Sequence, residues 1–190
     1  MKEKSYYIIL FLTFVSVVAG GLLAYFSAYT APYIAADKKK QLEQAILDVV
    51  PGAVKSRTVK EVGDFKVYEG LDGDGKSLGY AVFAVGPGFS DKISLIFGMD
   101  AEREKITLMR VLEQKDTPGL GAKVADEESF LKFWKERDLT KGEILLAKPP
   151  KEASSLKPNE VNAISGATIS SRGVVAIVNG AVAQLKKEVP

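Results

Sequence analysis

At 190 residues, with 26 basic and 24 acidic side chains and neither cysteine nor histidine, the chain excludes several chemistries at the outset. The near-neutral balance and scattered aromatics leave no electrostatic footprint for nucleic acid. Without cysteine there is no disulfide, thiolate zinc site, iron–sulfur cluster or Cys-ligated haem, and without histidine there is no Ser-His-Asp or Cys-His catalysis. Redox chemistry in such a chain requires a borrowed organic cofactor.

The first element is an uncharged run from Tyr6 to Tyr29, YYIILFLTFVSVVAGGLLAYFSAY. At about 1.5 Å per residue it reaches about 36 Å, more than the roughly 30 Å of a hydrocarbon core. Its length, and aromatics at Tyr25, Phe26 and Tyr29, favour a retained anchor over a cleaved signal, although Ala28 and Ala31 could mimic a cleavage site. Lys2, Lys4 and the amino terminus argue for a cytoplasmic N-terminus (residues 1–5), with the bulk of the chain outside; Lys38, Lys39 and Lys40 pull the other way from farther off. Ser16, Gly20, Ala24 and Ala28 place small side chains on one helical face, a pattern suited to packing on a partner helix.

Residues 30–52 are expected to form a juxtamembrane amphipathic helix. Within it, Ala35 to Val50 carries Leu42, Ala45, Ile46 and Val49 at helical spacing, stopped by Pro51-Gly52 and expected to pack on the following domain. Residues 53–190 make that domain. Strands are expected over Phe65–Glu69, Gly79–Val85, Ile93–Phe97 and Ile106–Glu113. Asp72-Gly73-Asp74-Gly75 reads as a turn, since it lacks the further oxygen ligands of a calcium loop. Ser129–Lys135 predicts a short helix with Phe130, Phe133 and Trp134 inward, and Lys148 to Pro158 a proline-bearing loop. Ser171–Glu188 closes the chain as an amphipathic helix, with Lys186 and Lys187 at its dipole-negative end. Antiparallel strands bracketed by helices predict an α+β fold.

Two glycine-bearing loops could carry chemistry. Asp116 to Lys123, DTPGLGAK, follows a strand; its glycines would let backbone approach a flat ligand and display Leu120, though a plain turn explains it equally. Asn162 to Ser171, NAISGATISS, precedes the last helix. One reading is a capped helix start with Ser170 or Ser171 as N-cap. The other is an anion site, where free amides and the positive dipole end meet hydroxyls from Ser165, Thr168, Ser170 and Ser171.

With the anchor, the TPGLG loop at Thr117–Gly121 and the SGAT motif at Ser165–Thr168, the whole chain resembles the FMN-binding domain family, specifically the G subunit of the Rnf electron-transport complex. Its relative, the C subunit of the sodium-pumping NADH:quinone oxidoreductase, is the alternative, disfavoured by the short chain. The resemblance implies an N-terminal transmembrane helix and an FMN-binding domain with a mainly antiparallel sheet flanked by helices. It implies FMN held covalently by a phosphoester on Thr168, within Ser165, Gly166 and Ala167, and an isoalloxazine ring against Thr117, Gly119, Leu120 and Gly121. The segment Gly86-Pro87-Gly88-Phe89-Ser90, through Phe89 and Ser90, is expected on the ring's other side.

The function so implied is membrane-anchored electron transfer within an ion-translocating ferredoxin:NAD oxidoreductase, alongside other membrane and peripheral subunits. Because a threonine hydroxyl needs a base and no histidine is present, attachment is expected from a separate metal-dependent flavin transferase. A tethered module binding a phosphorylated ligand non-covalently is the rival from another class. Two positions depart from the family pattern: Asn162 stands where the motif has Asp, which implies slower attachment if the carboxylate assists, and Asp116 replaces a Glu before the loop.

Overall fold

The computed structural model describes residues 2–188, with side chains described from Tyr6 onward. The side chains of Lys2 and Lys4 and the amino terminus, on which the expected orientation rests, lie outside the described residues. The chain divides into two compact units, Met1–Gln41 and Leu42–Pro190.

Over the described residues of the first unit the backbone is helical, within helix α1 (Lys2–Val49). The helix is longer than expected, because the run continues through Pro32 into the segment read as a separate juxtamembrane helix. Proline removes one i→i−4 bond, yet a helix with otherwise intact bonding tolerates this. Thr30 adds a local tie, its hydroxyl donating to the Phe26 carbonyl at 3.0 Å. Side chains such as Phe11, Leu22 and Phe26 are exposed along this stretch, and the helix is long and apolar enough to cross a membrane.

The second unit is built on a six-stranded antiparallel meander, β1 (Lys55–Val62), β2 (Phe65–Leu71), β3 (Ser77–Pro87), β4 (Lys92–Asp100), β5 (Lys105–Glu113) and β6 (Arg137–Asp138), paired in chain order. The four expected strands are β2 to β5. Strand β1 escapes a pattern reading because, as an exposed edge, it carries no apolar alternation. The Asp72 turn joins β2 to β3, and its carboxylate Oδ1 accepts from the amides of Asp74 and Lys76 at 2.9 and 2.8 Å. A parallel pair, β7 (Leu145–Ala147) and β8 (Glu160–Asn162), and helix α2 (Thr168–Glu188) complete the regular structure.

Period-two alternation puts a core on each face of the sheet. On β4, Ile93, Leu95, Phe97 and Met99 face one side, and Ile96 the other. The first side is covered by α2 through Val174, Ile177, Val178, Ala181, Val182 and Leu185, with Phe130 and Trp134 from the segment after β5. Each of the valine, isoleucine, leucine and phenylalanine side chains, fully buried, contributes about 1.5–3 kcal/mol. The other side is covered by the last turns of α1, where Ala45, Ile46 and Val49 meet Tyr68, Ala81 and Ile96. Thr107 fixes that end, its hydroxyl donating to the Val49 carbonyl at 2.5 Å.

The expected helix at Ser129–Lys135 is a single 3-10 turn, Leu131–Trp134, with Phe130 and Trp134 fully buried and Phe133 only partly so. The three-residue period places Leu131 and Trp134 on one buried face, with Phe130 buried just before the turn.

Candidate functional site

Helix α2 begins three residues earlier than its apolar pattern suggests. The amide of Ala167 donates to the Ile164 carbonyl at 3.0 Å, closing a turn over Ile164–Ala167. Gly166, its third residue, has φ +83°, the conformation a type II turn requires there. Ala167 then caps the helix, its carbonyl accepting from Ser171 N–H at 3.0 Å. Thr168 is therefore the first helical residue, and the amides of Thr168, Ile169 and Ser170 precede the first helical bond. Ser170 and Ser171 are not N-caps: both lie inside the helix and are buried. Ser171 instead braces the turn from within. Its Oγ accepts from Ile164 N–H at 3.1 Å and donates to the Ala167 carbonyl at 3.0 Å.

The loop after β5 folds toward this turn. The Thr117 carbonyl accepts from the amides of Leu120 and Ala122 at 3.1 and 3.2 Å, which curls TPGLG back on itself. Gly121 sits where a Cβ would lie 2.6 Å from Asp116 Cβ and 2.7 Å from Ser170 Oγ, so only glycine lets the loop meet the first turn of α2. The turn between β3 and β4 is tied to the same loop twice. Ser90 N–H donates to Asp116 Oδ1 at 2.8 Å, and Lys115 Nζ pairs with Asp91 Oδ2 at 2.9 Å. The Lys115 ammonium holds the Asp91 carboxyl below its ordinary value, and Asp91 raises Lys115 in turn.

These three segments enclose a pocket of about 330 Å³, lined by Phe89, Thr117, Leu120, Gly121, Gly166, Ala167, Thr168, Ile169 and Ser170. Its walls are largely apolar, and Phe89, Leu120 and Ile169 are 63%, 50% and 57% exposed. Exposed apolar side chains grouped round a pocket with hydroxyls and free amides at one end suit a flat apolar ring bearing an anionic tail. No lining side chain carries an ionisable group.

Of the residues expected at the ring and its phosphate, Phe89, Thr117, Leu120, Gly121, Gly166, Ala167 and Thr168 meet in this pocket. Ser90 stands behind it on Asp116, and Gly119 turns the loop with φ +79° without lining the pocket. Ser165 faces a neighbouring groove formed with Lys148, Pro149, Pro150, Ala163 and Ile164. Ile169 is a pocket residue that sequence reasoning missed; the only signal was an apolar residue at the helix start that stands off the buried stripe.

Asn162 is buried, and both ends of its amide are taken up by the Lys151 backbone. Its Nδ2 donates to the Lys151 carbonyl at 2.7 Å while its Oδ1 accepts from Lys151 N–H at 2.8 Å. Lys151 is held again by Glu160, whose two oxygens each lie 2.8 Å from the ammonium. The Lys151 ammonium, then the Lys157 amide, hold the Glu160 carboxyl below its ordinary value.

Residues 88–183 match the FMN-binding domain family. The chain is 31% identical over 182 residues to the G subunit of the ion-translocating oxidoreductase complex of Methanosarcina acetivorans, covering 92% of this chain and 91% of that one. It belongs to this family. A second relative, the G subunit of the proton-translocating ferredoxin:NAD(+) oxidoreductase complex of Clostridium ljungdahlii, is 30% identical, with 92% of this chain and 88% of that one covered. Among solved structures the chain is similar to NqrC of Shewanella oneidensis, with a TM-score of 0.55 at 25% identity over 72% of this chain and 73% of the other. The α+β fold with its antiparallel sheet is thus that of an FMN-binding domain, and the long N-terminal helix anchors the chain to a membrane.

Proposed function

We propose that the protein is a membrane-anchored electron-transfer subunit that holds FMN as a phosphoester on Thr168, within an Rnf-type ion-translocating ferredoxin:NAD oxidoreductase. One observation carries this reading: Thr168 opens α2 in a pocket walled by Phe89, Leu120 and Ile169. FMN, when bound, supplies one- and two-electron chemistry. The chain's own residues do the rest. The amides of Thr168, Ile169 and Ser170 and the positive end of α2 receive the phosphate. Leu120 and Phe89 would contact the ring from the loop and the β3–β4 turn, and Thr117 and the Gly121 backbone would line its site.

Attachment forms the Thr168 Oγ–P bond as the phosphoanhydride P–O bond of a flavin dinucleotide breaks, the nucleoside monophosphate leaves with the electron pair, and the hydroxyl proton must go to a base. The pocket lining offers none, which supports a separate flavin transferase that brings its own base and metal. Among the described residues no group of three or more acidic side chains could hold that metal. A cytoplasmic N-terminus, a single crossing and an FMN domain on the outer side complete the reading, supported by Lys2 and Lys4 and checked by protease accessibility in sealed vesicles. The relatives' names suggest the company it keeps, further subunits of an ion-translocating complex.

Fluorescence on a denaturing gel tests the linkage. The full chain co-expressed with a flavin transferase is expected to fluoresce and to gain the mass of an FMN ester. Thr168→Val is expected to fold and stay dark; a fluorescent Thr168→Val band refutes the site, and unchanged parental mass refutes covalent attachment. Release of flavin from the parent on denaturation would instead favour the non-covalent phosphate-binding module.

A further inference from the structure

Asp116 is 4% exposed, yet only half of its carboxyl group is used. Oδ1 accepts from Ser90 N–H at 2.8 Å, and Oδ2 is buried with no hydrogen-bond partner. Leaving a carboxylate oxygen in that condition is unfavourable unless its surroundings stabilise the charge. Two features do so. A Cβ at Gly121 would lie 2.7 Å from Oδ2 and 2.7 Å from Ser170 Oγ, so the carboxyl sits against the first turn of α2, where the dipole is positive. It also sits directly behind Thr117, Gly121 and Ser170, all in the wall of the flavin pocket. A glycine whose missing side chain makes room for a carboxyl shows that the loop is shaped around Asp116 as much as around a ligand.

We propose that Asp116 is the positioning residue that sets the reduction potential of the flavin, holding a negative charge behind the pocket while its other oxygen locks the Phe89–Ser90 turn to the TPGLG loop. This rests on the flavin reading above. A negative charge in a poorly solvated wall opposes the arrival of electrons on a nearby ring, so it holds the potential down. Removing the charge favours the reduced form by about tenfold in the equilibrium constant for one electron, which corresponds to about 59 mV.

The test is a spectroelectrochemical titration of the full-length, flavinylated chain in detergent, with Asp116→Asn and Asp116→Glu beside it. Asparagine keeps an acceptor for Ser90 N–H and nearly the same volume but removes the charge; glutamate keeps the charge. The expected result is a potential raised by about the tenfold equivalent in Asp116→Asn and left near the parental value in Asp116→Glu. A merely structural role would not separate the two variants by charge. A loaded Asp116→Asn chain with the parental potential overturns the proposal, and so does an Asp116→Glu chain shifted as far as Asp116→Asn. Should Asp116→Asn fail to fold, Asp116→Ser takes its place as the uncharged acceptor beside Asp116→Glu: a potential raised in serine but not in glutamate supports the assignment, and a parental potential in serine overturns it. A parental chain dark on a denaturing gel would refute the covalent flavin reading and this proposal with it; a fluorescent parent with an unresponsive potential refutes this proposal only.

Discussion

Asn162 occupies the position where the family's attachment motif has Asp, and replacing it with Asp tests what this side chain does here. The amide makes both halves of a reciprocal pair with the Lys151 backbone, donating at 2.7 Å and accepting at 2.8 Å. A carboxylate can keep the second bond, strengthened by its charge, but not the first. In place of the donor it would set a negative oxygen against the Lys151 carbonyl, at a residue only 5% exposed. Leaving buried acceptors unmatched costs about 1–3 kcal/mol. Lys151 itself is exposed, so water can reach part of its carbonyl and the lower end applies, about 1–2 kcal/mol. For a unit of this size that lowers the melting temperature by about 2–8 °C. Trp134 is the single tryptophan and is fully buried, so its fluorescence in a thermal melt of the full chain reports unfolding of the sheet domain. If Asn162→Asp melts at or above the parental temperature, the Lys151 clamp contributes nothing and the position belongs to the attachment chemistry after all. With the clamp intact, Asn162→Asp is also expected to load flavin no faster than the parent.

Ser171→Ala removes the hydroxyl that receives the buried Ile164 amide, and is expected to destabilise the domain by about 1–3 kcal/mol. The same substitution should speed hydrogen exchange at Ile164 well before global unfolding; unchanged exchange there would refute the brace. Glu160 provides a pH test. Its carboxyl is held below the ordinary value in the folded chain, so its stabilisation is complete above that ordinary value and is lost as pH falls through the depressed one. Melting temperatures measured across the acid range are expected to fall less steeply in Glu160→Gln than in the parent, and parallel curves would show that the Lys151 pair carries no linkage. Since Lys151 serves both Asn162 and Glu160, the Asn162→Asp, Glu160→Gln double variant should be non-additive.

The sequence was most readable where burial imposes a period. Val174 to Leu185 on α2 and Ile93 to Met99 on β4 are core on the faces their spacing indicates. It was least readable where tertiary contacts decide. Thr168 became helical because the Gly166 turn and the inward hydroxyl of Ser171 pull the helix start back by three residues, whereas propensity alone favours Ser170 or Ser171 as caps. Strand β1 forms through backbone pairing to β2, with nearly every side chain exposed, and such an edge leaves no apolar trace. The parallel pairing of β7 with β8 rests on three residues each, too few for a pattern. The pocket was half legible. The motifs named the two loops and the Phe89 turn, but the buried carboxyl of Asp116 that joins them, and the diversion of Asn162 to Lys151, depend on contacts across distant parts of the chain.

The last two turns of α1 have a practical bearing on how a water-soluble version of this protein should be cut. Ala45, Ile46 and Val49 are only 3%, 2% and 0% exposed, so they are core residues of the sheet domain although they belong to the same helix as the anchor. A fragment starting at residue 53 would uncover Tyr68, Ala81 and Ile96 and deprive the Thr107 hydroxyl of its acceptor, creating a sticky, loosened sheet. A fragment starting just before Leu42 discards the lipid-compatible stretch and keeps that layer intact, which makes the Gln41–Leu42 junction the rational place for an engineered start or a protease site.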